Sequence, residues 1–184
     1  MARSATRSTD QPNIVLINCD DLGYGDLACY GSEVHDTPAL DQLAADGMRL
    51  TDFYVASPVC TPSRGALMTG CYPSRFGFDS FDGMHVLFPG MRFGLDPSEI
   101  TIARVLKDAG YATQMVGKWH CGDQKEFLPT NHGFDSWYGL PYSNDMGRQG
   151  DGMPEGMADV MATNLGVAVQ DGDYPPLPLM LDDT

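Results

Sequence analysis

The amino-acid sequence predicts an α/β fold with a largely parallel sheet flanked by helices. Three features carry that expectation. Residues 14–17 form a short, β-branched apolar run that does not alternate, the pattern of a strand buried on both faces. Strand-like and helix-like stretches take turns along the chain. Polar clusters follow directly after predicted strands or open a helix, where open α/β sheets place their ligand sites.

The elements follow in order. Residues 1–11 are polar and without an apolar stretch, and are expected as a disordered tail. Pro12-Asn13 opens the first strand, Ile14-Val15-Leu16-Ile17, which runs into Asp20-Asp21 and the turn-rich Gly23-Tyr24-Gly25-Asp26. Thr37-Pro38 is a helix start, with Thr as N-cap and Pro at the first helical position; Leu40, Leu43 and Ala44 keep the helical period and Gly47 ends it. Residues 48–55 are the second predicted strand. Pro62 to Thr69 is a short helix stopped by Gly70. Residues 80–96, rich in Gly, Phe and Met, show no period and are expected as an irregular loop, with Met84, Phe88, Met91 and Phe93 more suited to packing than to a substrate rim. Thr101 to Ala109 is an amphipathic helix with Ile102, Val105 and Leu106 turned inward, closed by Gly110. Tyr111 to Val116 is the third strand and ends in Gly117-Lys118-Trp119-His120.

Composition narrows the function classes. The 184 residues suffice for one domain with a real core. Acidic residues outnumber basic ones 25 to 11, a formal charge of −14, which excludes a general nucleic-acid binder. It does not exclude an anionic small substrate, because a few local cations dominate one pocket. The five cysteines, Cys19, Cys29, Cys60, Cys71 and Cys121, match no zinc spacing, and their odd number leaves at least one without an internal disulfide partner. No stretch is apolar enough to span a bilayer, and residues 1–11 do not have the form of a signal peptide. The chain is expected to be soluble, with no membrane partner; its compartment stays open.

Three clusters carry candidate chemistry. Asp20 and Asp21 are adjacent hard carboxylates suited to Ca²⁺ or Mg²⁺, or to capping a backbone turn. Cys60 stands at a predicted helix N-terminus, where free N–H groups favour an anion, and Arg64 lies one turn on. Such a cysteine is either a low-pKa nucleophile or an inert packed thiol. Lys118 and His120 flank Trp119 just after the third strand, where a ligand site can form; in isolation they read as a surface lysine and a satisfied loop histidine.

The segment from Cys60 to Gly70, Cys-Thr-Pro-Ser-Arg-Gly-Ala-Leu-Met-Thr-Gly, resembles the sulfatase signature, C-x-P-S-R with a Leu/Met-Thr-Gly close. Its four fixed residues match by chance on the order of once in several hundred thousand positions. Residues 12–31 are similar to the first strand and metal loop of arylsulfatases, residues 37–54 to the next helix and strand, and Gly117-Lys118-Trp119-His120 to the family's G-K-W-H block. Residues 132–135 and Pro141-Tyr142-Ser143-Asn144-Asp145 resemble later segments of the arylsulfatase A type. The short motif recurs as Cys71-Tyr72-Pro73-Ser74-Arg75; only the Leu67-Met68-Thr69-Gly70 close favours Cys60.

The resemblance implies an alkaline phosphatase/sulfatase-like fold, with residues 12–184 as the N-terminal part of the catalytic domain and the fold incomplete at the C-terminal side. It implies hydrolysis of a small-molecule or carbohydrate sulfate ester. Cys60 would be oxidised to formylglycine by a formylglycine-generating enzyme; one hydroxyl of the hydrated aldehyde attacks sulfur, and the other then expels sulfate. Asp20 and Asp21, with the residue at position 60, would hold Ca²⁺ or Mg²⁺. Arg64 would steady the hydrate, Lys118 would bind a sulfate oxygen, His120 would serve as base, and Ser143 would be a weaker sulfate contact. Two rivals remain: a phosphonate or phosphate ester hydrolase of the same superfamily, and an inactive truncated fragment or binding module that keeps the core.

Overall fold

The computed structural model describes residues 11–146 and 178–184. The expected tail thus lies almost entirely outside the described residues. The chain divides into two compact units, Met1–Phe53 and Tyr54–Thr184.

In the first unit, helix α1 spans Pro38–Asp46 between the expected Thr37 and Gly47. The Thr37 hydroxyl accepts from the Ala28 N–H at 2.9 Å, and the Asp41 carboxylate accepts from the Cys29 N–H at 2.7 Å. These bonds join α1 to the short 3₁₀ turn Ala28–Tyr30, which follows another at Tyr24–Asp26. The Tyr24 hydroxyl donates to the Phe53 carbonyl at 2.7 Å and tethers the far end of the unit.

The two strands expected here are not formed. Residues 14–17 and 48–55 carry no strand pairing, and Val15 and Ile17 are 81% and 75% exposed. The composition of a buried strand is present, but a strand exists only through hydrogen bonds to a neighbour, and the described residues offer these segments none.

The second unit holds the core. Helix α2, Cys60–Thr69, begins two residues earlier than expected and ends at Gly70, whose left-handed φ of 69° lets its N–H reach the Ala66 carbonyl. Gly65 admits no side chain, because a Cβ there would run into the Phe78 ring. Helix α3, Ile102–Asp108, is capped by the Thr101 hydroxyl, which accepts from the Arg104 N–H at 3.1 Å. Its inward face differs in part from the expected one: Leu106 is half-buried and Ala103 is buried, whereas Ile102 and Val105 are exposed. The Thr101 side chain donates to the His132 carbonyl and draws the start of α3 down, so the small Ala103 takes the packed position.

Three strands form one sheet: β1, Gln114–Val116; β2, Ser136–Gly139; and β3, Met180–Leu181. β1 pairs with β2 in parallel, Met115 opposite Trp137, and β2 pairs with β3 antiparallel, Gly139 opposite Met180. Among the described residues the sheet is therefore mixed, not largely parallel. Trp119, Trp137, Tyr142, Leu87, Leu95 and Leu128 are fully buried around it. Residues 80–96 are irregular as expected, yet this loop supplies Phe81, Leu87 and Leu95 to the core, with Met91 and Phe93 packed against it.

Candidate active site

The site in the second unit is built from the start of α2 and the segment after β1. Val59 is extended, and Cys60 opens the helix as a half-buried thiol outside any disulfide. The first-turn N–H groups and the helix dipole favour negative charge at that end. Arg64, one turn on, turns toward the second element: its guanidinium Nη1 donates to the Lys118 carbonyl at 2.6 Å.

The Gly117–His120 block is held by continuing the β1–β2 pairing past the strand ends. The N–H groups of Gly117, Trp119 and His120 donate to the carbonyls of Tyr138, Leu140 and Pro141 at 2.9, 2.9 and 2.8 Å. Trp119 is buried, donating its indole N–H to the Phe127 carbonyl at 2.8 Å, and its ring lies 5.5 Å from that of His132. His120 is fully buried with a left-handed φ of 60°, unusual for a residue with a Cβ. Its Nε2 lies 3.0 Å from the Leu87 carbonyl, and the Tyr142 ring stands edge-on to it at 5.3 Å. Ser143 follows that tyrosine and precedes the 3₁₀ turn Asn144–Met146.

The structure thus brings Cys60, Arg64, Lys118 and His120 onto one pair of linked elements. No local pattern in the sequence singles out Leu87, which sits in an aperiodic loop, or Thr61, whose hydroxyl accepts from the Leu87 N–H at 3.0 Å. Cys121 completes the surroundings. Burial pushes its thiol up to about 12, opposed by the charge of Arg64, so it stays protonated and is no rival nucleophile at neutral pH.

Asp20 and Asp21 belong to the first unit and are exposed; Asp21 adopts a left-handed φ of 57°. Their oxygens fit a hard cation in kind and fall short in number, since Ca²⁺ takes about six to eight oxygens. No cluster of three or more His, Cys, Asp or Glu suited to a metal is found among the described residues.

Comparison with known proteins gives a consistent result. The sulfatase family model matches residues 12–171. Human arylsulfatase A is 56% identical over 138 residues, covering 74% of this chain and 26% of its own length. Human steryl-sulfatase is 45% identical over 146 residues, covering 76% and 25%. The chain therefore spans about a quarter of these relatives. Among solved structures, Ps i-CgsB superposes with a TM-score of 0.68 at 32% identity over 89% of this chain and 34% of that one. The PsFucS1 sulfatase from Pseudoalteromonas sp. superposes with a TM-score of 0.57 at 39% identity over 68% and 25%. The match begins ahead of the first apolar run and extends past the Gly117–His120 block, with α2 and its Cys-Thr-Pro-Ser-Arg start between them, and on that ground the chain belongs to the sulfatase family.

Proposed function

We propose that this chain is the nucleophile-bearing, N-terminal part of a catalytic domain that hydrolyses sulfate esters. The observation that carries the reading is the bond from Arg64 to the Lys118 carbonyl, which ties the helix opened by Cys60 to the segment bearing Lys118 and His120. An aldehyde at position 60, made by a separate maturation enzyme, supplies as its hydrate both a nucleophile and a built-in release of sulfate.

The chain's own groups do the rest. The α2 N-terminus and Arg64 favour negative charge at position 60. Lys118 offers an ammonium to a sulfate oxygen, and Ser143 a hydroxyl. His120 takes the proton of a hydroxyl at position 60. Asp20 and Asp21 would contribute carboxylates to a divalent cation, Ca²⁺ or Mg²⁺, whose chemistry there would be to polarise sulfate. The names of the relatives span aryl, steryl and N-acetylgalactosamine-6-sulfate chemistry, and one structural neighbour is in complex with k-i-k-neocarrahexaose. A small-molecule or carbohydrate sulfate ester is the substrate class.

The test is side-by-side turnover of a chromogenic aryl sulfate and a phosphate diester. The protein is one joining these residues to the remainder of a sulfatase fold, matured at Cys60. Faster aryl sulfate hydrolysis, lost in Cys60→Ala, supports the reading. Preference for the diester transfers the assignment to a phosphoester hydrolase, and no turnover of either by a matured, folded protein refutes it.

A further inference from the structure

Thr61 follows the nucleophile position directly. It lies in the first turn of α2, where a threonine hydroxyl ordinarily meets solvent, yet it is 0% exposed. Its Oγ1 accepts from the N–H of Leu87, 26 positions along, at 3.0 Å. The carbonyl of the same Leu87 lies 3.0 Å from Nε2 of His120, and both residues are fully buried. Leu87 is thus gripped at both of its backbone polar groups, by Thr61 at its N–H and by His120 at its C=O.

A carbonyl oxygen only accepts, so the hydrogen of this second bond resides on Nε2. A neutral imidazole has one N–H and one lone pair, which puts the lone pair of His120 on Nδ1. We infer that Thr61 is a positioning residue: through the Leu87 backbone it holds His120 in the Nε2–H tautomer, so that Nδ1 is the atom that receives a proton. This rests on the proposed role of His120 as base. In that step the proton leaves a hydroxyl at position 60 and arrives on Nδ1. The imidazolium keeps its Nε2–H on the Leu87 carbonyl, whose dipole faces the new charge. Tyr142, edge-on at 5.3 Å, and the bond from the His120 N–H to the Pro141 carbonyl at 2.8 Å restrict the ring and its backbone. Loop 80–96 therefore has a task besides core packing: the backbone of one of its residues, Leu87, relays the geometry of α2 to the ring.

The experiment is long-range ¹H–¹⁵N spectroscopy of the histidine rings in the full 184-residue chain, with the His120 signals identified by their loss in His120→Gln. At a pH where the ring is neutral, the wild type is expected to carry its proton on Nε2. Thr61→Val, which keeps the shape and removes the acceptor, is expected to shift the His120 ring nitrogens toward a tautomer mixture and to move the Leu87 amide. Thr61→Ser is expected to retain the wild-type pattern. A wild-type proton on Nδ1, or a folded Thr61→Val with unchanged His120 ring shifts, overturns the inference. If Thr61→Val does not fold, the wild-type tautomer together with Thr61→Ser decides it. The readout needs no turnover, so failure of sulfate hydrolysis would refute the functional reading and leave the tautomer result standing.

Discussion

Arg64 and Lys118 are 54 positions apart in sequence, yet the guanidinium of the first donates to the main-chain carbonyl of the second at 2.6 Å. The bond is half-buried and charge-assisted, the class of hydrogen bond with the largest net contribution. It lets one side chain serve the nucleophile end of α2 and the orientation of the next polar segment together. Arg64→Ala is expected to destabilise the 184-residue chain by about 2 kcal/mol, measured by urea unfolding. Arg64→Lys keeps the charge without the planar fork and is expected to recover only part of that loss. A midpoint unchanged in Arg64→Ala would mean that the bond contributes nothing to holding the two elements together.

The two short motifs differ in surroundings, and that difference predicts which is modified. Cys60 opens a ten-residue helix whose Thr61 and Pro62 are buried. Cys71 follows the Gly70 cap, and its Pro73-Ser74-Arg75 is a 3₁₀ turn beside a Tyr72 that is 68% exposed. An aldehyde at position 71 would stand at the opposite end of α2 from the one that Arg64 ties to Lys118. After co-expression with the maturation enzyme, peptide mapping is expected to find the aldehyde at Cys60 and an intact thiol at Cys71. The reverse distribution would reassign the nucleophile.

Local order is legible in the sequence where short-range chemistry decides it. Thr101 caps α3 with its hydroxyl and Gly70 closes α2 in a left-handed turn, while Thr37-Pro38 and Gly47 bound α1 although Thr37 makes no side-chain cap to it and Gly47, at φ −123°, is not left-handed. Strands are less legible. The run at 14–17 has the composition of a buried strand, but pairing is a long-range property that no window of sequence contains. The inward face of α3 departs from its periodicity for a related reason, since the Thr101 bond to the His132 carbonyl selects Ala103 over Ile102 and Val105. Of the site, Cys60, Arg64, Lys118 and His120 stand out through a motif. Thr61 and Leu87 act through a tertiary bond, and nothing in their local pattern signals it.

Asp20 and Asp21 predict a metal dependence with a definite sign. Both are exposed and adjacent, a pair of hard oxygen donors of the kind a divalent cation takes. In a protein carrying these residues with the rest of the sulfatase fold, Asp21→Ala is expected to lower bound Ca²⁺ or Mg²⁺, read by elemental analysis. It should also reduce aryl sulfate turnover by at least about a hundredfold, the scale of losing one preorganised charge stabiliser. Unchanged metal stoichiometry in both Asp20→Ala and Asp21→Ala would remove these carboxylates from the metal site.

His132 gives the chain an acid sensitivity of its own. It is buried against Trp119, and burial, followed by the positive charge of Arg104, holds its ring well below the ordinary value, at about 4, with Asp96 opposing weakly. The folded state therefore keeps the ring neutral where the unfolded chain, near the usual 6.5, takes up a proton. Between those two values the unfolded state binds more protons, so stability rises with pH across the window and falls as pH drops from about 6.5 to about 4. At about 1.4 kcal/mol for each pH unit between the two values, the loss amounts to at most about 3 to 4 kcal/mol. Asp96 and Asp135 also lose stabilisation in acid, but their carboxyls are held below the usual 3.8, so their effect begins at lower pH. Urea unfolding of the wild type between pH 4 and 7 is expected to show this decline, and His132→Phe, which keeps an aromatic ring against Trp119, is expected to flatten it. A His132→Phe variant with the same slope as the wild type would place the acid sensitivity in other groups.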